Sequence, residues 1–232
     1  MNKFLVLSGM MCLFLFSCGT TAKQTKTSDP KPTAEEQAIA SKEEVAALYS
    51  KIATEASVTL ENKIYYLDQP IIISSKDNFT LDGNACTFIM KNKSKDVVIA
   101  EYCNSITLKN FKATHIEPEG PIGCTGSVVQ VRNNTGVTIE KCQLNGSGII
   151  GVVAYETKNL RVVDNYIYNN SQYGILYDTD STVEVVGNKF EDNGPSGNQH
   201  VGKALNAMLS DVQLMEPNTK TEGLIMSKNT YK

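Results

Sequence analysis

Few side chains in this sequence can do acid–base, nucleophilic or metal chemistry. Among 232 residues there are two histidines, His115 and His200, and two arginines, Arg132 and Arg161. Glu101, Arg132, Tyr155 and Asp178 stand at matching places of an internal repeat traced below. Glycoside hydrolysis needs two carboxyls roughly 5–9.5 Å apart. Proton abstraction needs a base, and a binding strip needs aromatic and polar groups that face one way. His115, Glu117 and Glu119 are close enough in sequence for a metal or acid–base cluster, but no fourth ligand is in view. A histidine in such a polar stretch is expected to be solvated.

The elements that position these residues follow from a repeat. LRVVDNYIYNN, Leu160 to Asn170, returns 23 residues later as VEVVGNKFEDN, Val183 to Asn193. Further copies begin at Phe79, Ile106, Val137 and Leu224, each with apolar residues two apart, the period of a strand with one buried face. An apolar residue returns a few positions on, as Leu144, Ile167, Phe190 and Tyr231. A unit of this length, with short strands bounded by Gly, Asn or Ser, is one turn of a solenoid. Asn165 and Asn188 then mark a bend between strands, where Asn tolerates left-handed backbone and its amide can bond to the copies above and below. They are read as structural residues.

VTIEKCQL, LRVVDNYIYNNSQYGILYD and VEVVGNKFEDNG resemble the repeats of right-handed parallel β-helices of the pectate-lyase-like superfold, over roughly Tyr65 to Tyr231. The resemblance implies an all-β solenoid, a right-handed parallel β-helix of about six coils. It implies no single function, since the superfold carries lyases, hydrolases, epimerases and non-catalytic binders. It also implies a groove on the outer face of one sheet. The strands of that sheet put Ile72, Ile99, Gln130, Val153 and Leu176 in one outward column, and Ser74, Glu101, Arg132, Tyr155 and Asp178 in the next. Long insertions at 112–127 and 194–211, which hold His115, Glu117 and His200, enter the groove side.

Glu101 and Asp178 are three coils apart, about 14 Å at ~4.8 Å per coil, too far for a hydrolase pair. The sequence signatures of polygalacturonase-like hydrolases are absent. A lyase of this superfold would use an Arg or Lys base, often with calcium held by carboxylates, and Arg132 is the outward arginine. Glu101 beside it predicts an ion pair that keeps it protonated. Similar ladders are expected at Lys109 with Asp82 and Glu140, and at Arg161 with Glu184. The apolar column must be covered or used. Val201, Ala204, Leu205, Met208 and Leu209 have the helical spacing of a cover, whereas Tyr155 with Arg132 and Asp178 would make a sugar-binding strip.

At the start, MNKFLVLSGMMCLFLFSCGTT reads as an export signal, and Leu15-Phe16-Ser17-Cys18 resembles the lipobox of bacterial lipoproteins. The expected organisation is a signal peptide over 1–17, a lipidated Cys18 and tether over 18–33, a capping helix over 34–58 and the β-helix over 59–232. Ser41 with Glu44 forms a capping box, and KIYYL (63–67) is the earliest expected strand. No equally clear cap is visible at the other end. Cleavage would leave 21 basic against 25 acidic residues, without the clustered positive charge of a nucleic-acid binder. Cys86, Cys103, Cys124 and Cys142 show no zinc-site spacing and read as small buried hydrophobes. Gly19 lacks the Asp that retains some Gram-negative lipoproteins at the inner membrane, so an outer-membrane place is expected where one exists. The reading is a lipid-anchored cell-envelope protein, structural or polysaccharide-binding, without a cofactor. The alternative is a polysaccharide lyase acting through Arg132, with calcium.

Overall fold

A computed structural model of the chain describes residues 37–117, 124–145, 148–179, 181–206 and 211–232. The expected signal, Cys18 and the tether lie outside the described residues. Among the described residues, six parallel strands build the groove sheet: Ile71–Ser74, Val98–Glu101, Val129–Arg132, Ile150–Tyr155, Tyr173–Tyr177 and Val201–Ala204. A second sheet wraps the other two sides of the coil, because Thr80–Met90 and Asn104–His115 run around a corner without a break. The fold is a parallel β-solenoid of about six turns.

The repeat read from sequence is the register of this stack. Ile106 pairs with Val137, Val137 with Leu160, Leu160 with Val183 and Val183 with Leu224. On the third side, Leu144, Ile167, Phe190 and Tyr231 pair in turn. Their side chains point inward and, Tyr231 apart, are fully buried, so one column of apolar residues fills the core from coil to coil. At ~25 cal/mol per Å² of apolar area, this burial is the main stabilising contribution. Among the described residues the core runs from Ala40 to Met226.

All three corners carry buried asparagines. Asn134 accepts from the Cys103 N–H and donates to the Ala100 carbonyl. Asn165, Asn188 and Asn229 form a ladder at the second corner, and Asn170 and Asn193 at the third. The amide ladder is as expected, but the left-handed backbone is one residue earlier, at Lys141, Asp164, Gly187 and Lys228. Two residue types divide the work: an exposed one turns the chain, and the buried Asn satisfies the backbone groups that the turn leaves unpaired. In an earlier coil a bulge between Asp82 and Cys86 shifts the register and puts Cys86 opposite Phe111.

The helix Lys42–Thr54 closes the first coil. Ser41 caps it with the expected box: the Glu44 N–H donates to the Ser41 hydroxyl, and the Ser41 N–H to the Glu44 carboxylate. Leu48 and Ile52 are buried against the first coil. KIYYL is preceded by two strands, Ala38–Ile39 and Ser57–Thr59, too short for alternation to mark them. At the far end Val212–Leu214 and Lys220–Thr221 pair antiparallel with the last strands, so the chain folds back over its own open edges. The four cysteines are buried free thiols. Burial pushes Cys142 up to about 12, which makes it inert at neutral pH.

Candidate functional site

The groove sheet aligns the outward columns as expected. Ile72, Ile99, Gln130, Val153 and Leu176 are in register, as are Ser74, Glu101, Arg132 and Tyr155. Asp178 follows Tyr177 at the end of its strand. Arg132 Nε donates to Glu101 Oε2 at 2.7 Å, with a second contact from the terminal nitrogen to the same oxygen. The hydrogen bonds to Glu101 hold the guanidinium above its ordinary pKa. Arg132 is therefore a fixed donor and a poor base. Of the other expected pairs, Lys109 meets Asp82 at 3.4 Å, with Glu140 opposite it in register, and Arg161 meets Glu184 at 2.9 Å.

The two ends of the groove sheet differ. Val153 and Leu176 are buried on the outer side with Ile150 and Ala204, and Tyr155, Tyr173 and Val212 pack against them. Tyr155 is thus held in an apolar cluster, and burial raises its pKa, with Asp96 and Asp178 adding to the shift. Asp178 accepts the Glu156 N–H at 2.8 Å, a turn-capping role. The cover does not come from a helix over 201–209. Val201–Ala204 is the sixth groove strand, with Val201 facing the core and Ala204, three residues on, in the outer cluster, while Leu205 is exposed. Met208 and Leu209 lie outside the described residues. Toward the first coils the face is open, with Ile72 49 % exposed.

The insertion residues do not gather. His115 is not solvated: it ends the strand Asn104–His115, is 2 % exposed, and its Nε2–H donates to the Lys95 carbonyl at 2.7 Å. Burial lowers its pKa. Gly126 crosses this spot so closely that a Cβ there would stand 2.1 Å from the Lys95 oxygen. Glu117 is exposed, and Glu119 lies outside the described residues. His200 sits at the other end of the molecule, its ring 5.5 Å from Phe190 and 5.4 Å from Tyr231, with its pKa lowered by burial. Among the described residues no three His, Cys, Asp or Glu side chains come together as a metal site.

Two groove-side residues escaped the sequence reading. Asp96, in the turn before the second groove strand, accepts the Ser127 N–H at 2.6 Å, and burial raises its pKa against the pull of His115 and Arg132. Its place in a lysine-rich turn disguised it as one more surface charge. Tyr102 is the first residue after the strand Val98–Glu101 and is 61 % exposed. It occupies the left-handed turn position (φ 56°) that Ser75 and Asn133 fill in the neighbouring coils. A tyrosine there costs roughly 1–2 kcal/mol that an asparagine largely avoids.

The chain matches the family model described as a right handed beta helix region over residues 52–213. It belongs to the right-handed β-helix family. No curated protein and no solved structure matches the chain significantly. Membership of the right-handed β-helix family fixes the architecture, and the chemistry of this member rests on its own groove face.

Proposed function

We propose that this β-helix is a cell-envelope lipoprotein, anchored through Cys18, that holds polysaccharide on the open half of its groove sheet. The observation that carries the binding half is Tyr102, exposed and left-handed, beside the Arg132–Glu101 pair. The turn position is common to the coils, but a large exposed ring at it is disfavoured against asparagine and supports a role beyond the turn. The flat ring offers a stacking face, and the guanidinium keeps donor capacity at its solvent side. Ser74, Glu101 and Arg132 recur along the solenoid axis at strand spacing, which suits a ligand that itself repeats. Held protonated, Arg132 serves as a donor and not as a lyase base.

Mixing residues 19–232 with a panel of uronate-containing and neutral polysaccharides, with and without calcium, tests this reading. One polysaccharide of the panel is expected to bind without generating unsaturated ends, and Arg132→Ala to weaken binding about tenfold, the effect of losing a charge-assisted hydrogen bond. Tyr102→Asn should abolish binding while raising stability by about 1 kcal/mol, because Asn accepts the left-handed turn. Loss of both binding and stability would make Tyr102 a packing residue. Ultraviolet absorbance that rises with wild type and vanishes in Arg132→Ala would make the protein a lyase instead.

For the anchor, the expectation comes from the lipobox-like Leu15-Phe16-Ser17-Cys18. Cys18→Ala should shift the protein from the membrane to the soluble fraction, since the acyl chains contribute ~0.8 kcal/mol per buried methylene. Retention of the variant in membranes would overturn lipid anchorage.

A further inference from the structure

The groove strip leaves a second surface unexplained, on the first coils beside the capping helix. The outer face of the third side carries Ile39, Ile64, Tyr66, Ile89 and Ile116. Ile39 pairs with Ile64 and Tyr66 with Ile89, so the apolar run crosses the first coils, and Ile116 lies just past Thr114, the partner of Ile89. Ile39 is 65 % exposed and Ile116 40 %. Between this face and the helix runs a groove of about 520 Å³, lined by Val45, Ala46, Tyr49 and Tyr66 with Lys42 and Lys91 at its rim. Such an exposed apolar patch normally marks an interaction surface.

Beside it lies a lysine turn. Residues 91–95 read Lys-Asn-Lys-Ser-Lys and, with Asp68 and Gln69, line a second concavity of about 610 Å³. Lys91 and Asp68 line both hollows, so the apolar and cationic regions are continuous. Together the two hollows present Lys42, Lys91, Lys93 and Lys95 against a single lining carboxylate, Asp68, among the described residues. Asp68 pairs with Lys91 at 3.2 Å, while Lys95 donates to the neutral Gln69 amide at 2.6 Å. The local excess is positive in a protein of formal net charge −3.

We infer that this end of the β-helix docks on an anionic phospholipid surface, with the lysines on headgroup phosphates and Ile39 and the helix-side groove against the acyl boundary. A soluble anion would use the lysines and leave the apolar patch bare, whereas an anionic amphiphile uses both. The placement fits the chain path. The described fold begins at Gln37, next to Ala38–Ile39, so the chain that precedes it enters at the end that carries this face. The inference rests on the envelope half of the proposed function and is independent of the glycan strip.

The test uses residues 19–232, which carry no lipid, sedimented with vesicles of phosphatidylcholine alone or mixed with phosphatidylglycerol. The protein is expected to sediment with the mixed vesicles only, and to come off as salt rises. Replacing Lys91, Lys93 and Lys95 together by Ala should weaken binding on the order of a hundredfold, at about fivefold per lysine. Ile39→Ser should weaken it further, and Lys93→Ala alone serves if the triple variant melts early. Equal sedimentation with both vesicles, or a triple variant that binds like wild type, would overturn the inference. So would release by inorganic phosphate or polygalacturonate at constant ionic strength, which would make the lysine turn a site for soluble anions. Glycan binding should survive all these substitutions, so failure here and failure of the groove strip are separable.

Discussion

Phe88→Ala is expected to destabilise the fold by about 4 kcal/mol and to lower its melting temperature by on the order of 10 °C. Phe88 is fully buried between two other rings, Tyr65 at 5.9 Å and Phe111 at 5.4 Å, tilted at 52° and 54°. These three rings come from successive coils and meet in the core near the helix-capped end, Phe88 in register with Tyr65 and Phe111 in register with Cys86. Truncation removes the transfer free energy of the ring and leaves a void that neighbours can fill only by leaving their own rungs. A solenoid is poorly suited to such repair, because each coil touches only the coils above and below. The backbone ladder on either side also fixes the spacing. Phe88→Leu keeps most of the volume and should cost less than half as much. Thermal and denaturant unfolding of both variants check this; a Phe88→Ala cost below about 1 kcal/mol would mean that the stack does not carry the first coils.

Much of this fold could be read before any coordinates. A 23-residue period with apolar residues two apart constrains the register from Val137 to Val185, and the return of the same apolar pattern at Leu224 carries it across a 41-residue step; the observed pairs are those the repeat requires. What escaped notice was set by geometry that the period does not encode. Strands of two or three residues, such as Ala38–Ile39 and Val212–Leu214, are too short to show alternation, so both ends of the solenoid were read incompletely. The stretch from Val201 fits helical spacing because a strand covered on both faces can bury apolar residues three apart, Val201 on the core side and Ala204 on the outer side. His115 seemed to lie in a polar loop because its strand runs on past the corner. The outward columns are legible, but their exposure is not: Tyr155 is half-buried against Ile150, Val153 and Leu176, while Tyr102 stands open. Sequence alternation tells inside from outside. It does not tell a covered outside from a bare one.

The asparagine ladder gives the second large effect. Asn188→Ala should cost about 3 kcal/mol, although it deletes no apolar surface. Asn188 is fully buried. Its Oδ1 accepts from the Asn165 backbone N–H at 2.9 Å and from the Asn165 amide at 3.0 Å, while its Nδ2 donates to the Val162 carbonyl at 2.7 Å. Alanine strands those groups in a buried corner, at roughly 1–3 kcal/mol per unsatisfied buried group. Asn188→Asp separates this account from a mere packing defect. An aspartate keeps the acceptor for the Asn165 N–H but loses the donor to Val162 and buries a charge. Its folded-state pKa is expected above the unfolded value, so the folded protein binds the extra proton, and the variant should regain stability as pH falls toward the carboxylate range. The alanine variant has no such group, and its deficit relative to wild type should stay flat with pH. Matching pH profiles for the two variants would refute the ladder as the source of stability. Either variant, once folded, should bind glycan as wild type does, because Asn188 lies at the corner between the second and third sides and Arg132 at the end of the groove strand. Loss of binding in a folded Asn188→Ala protein would mean that the ladder also sets the spacing of the groove columns.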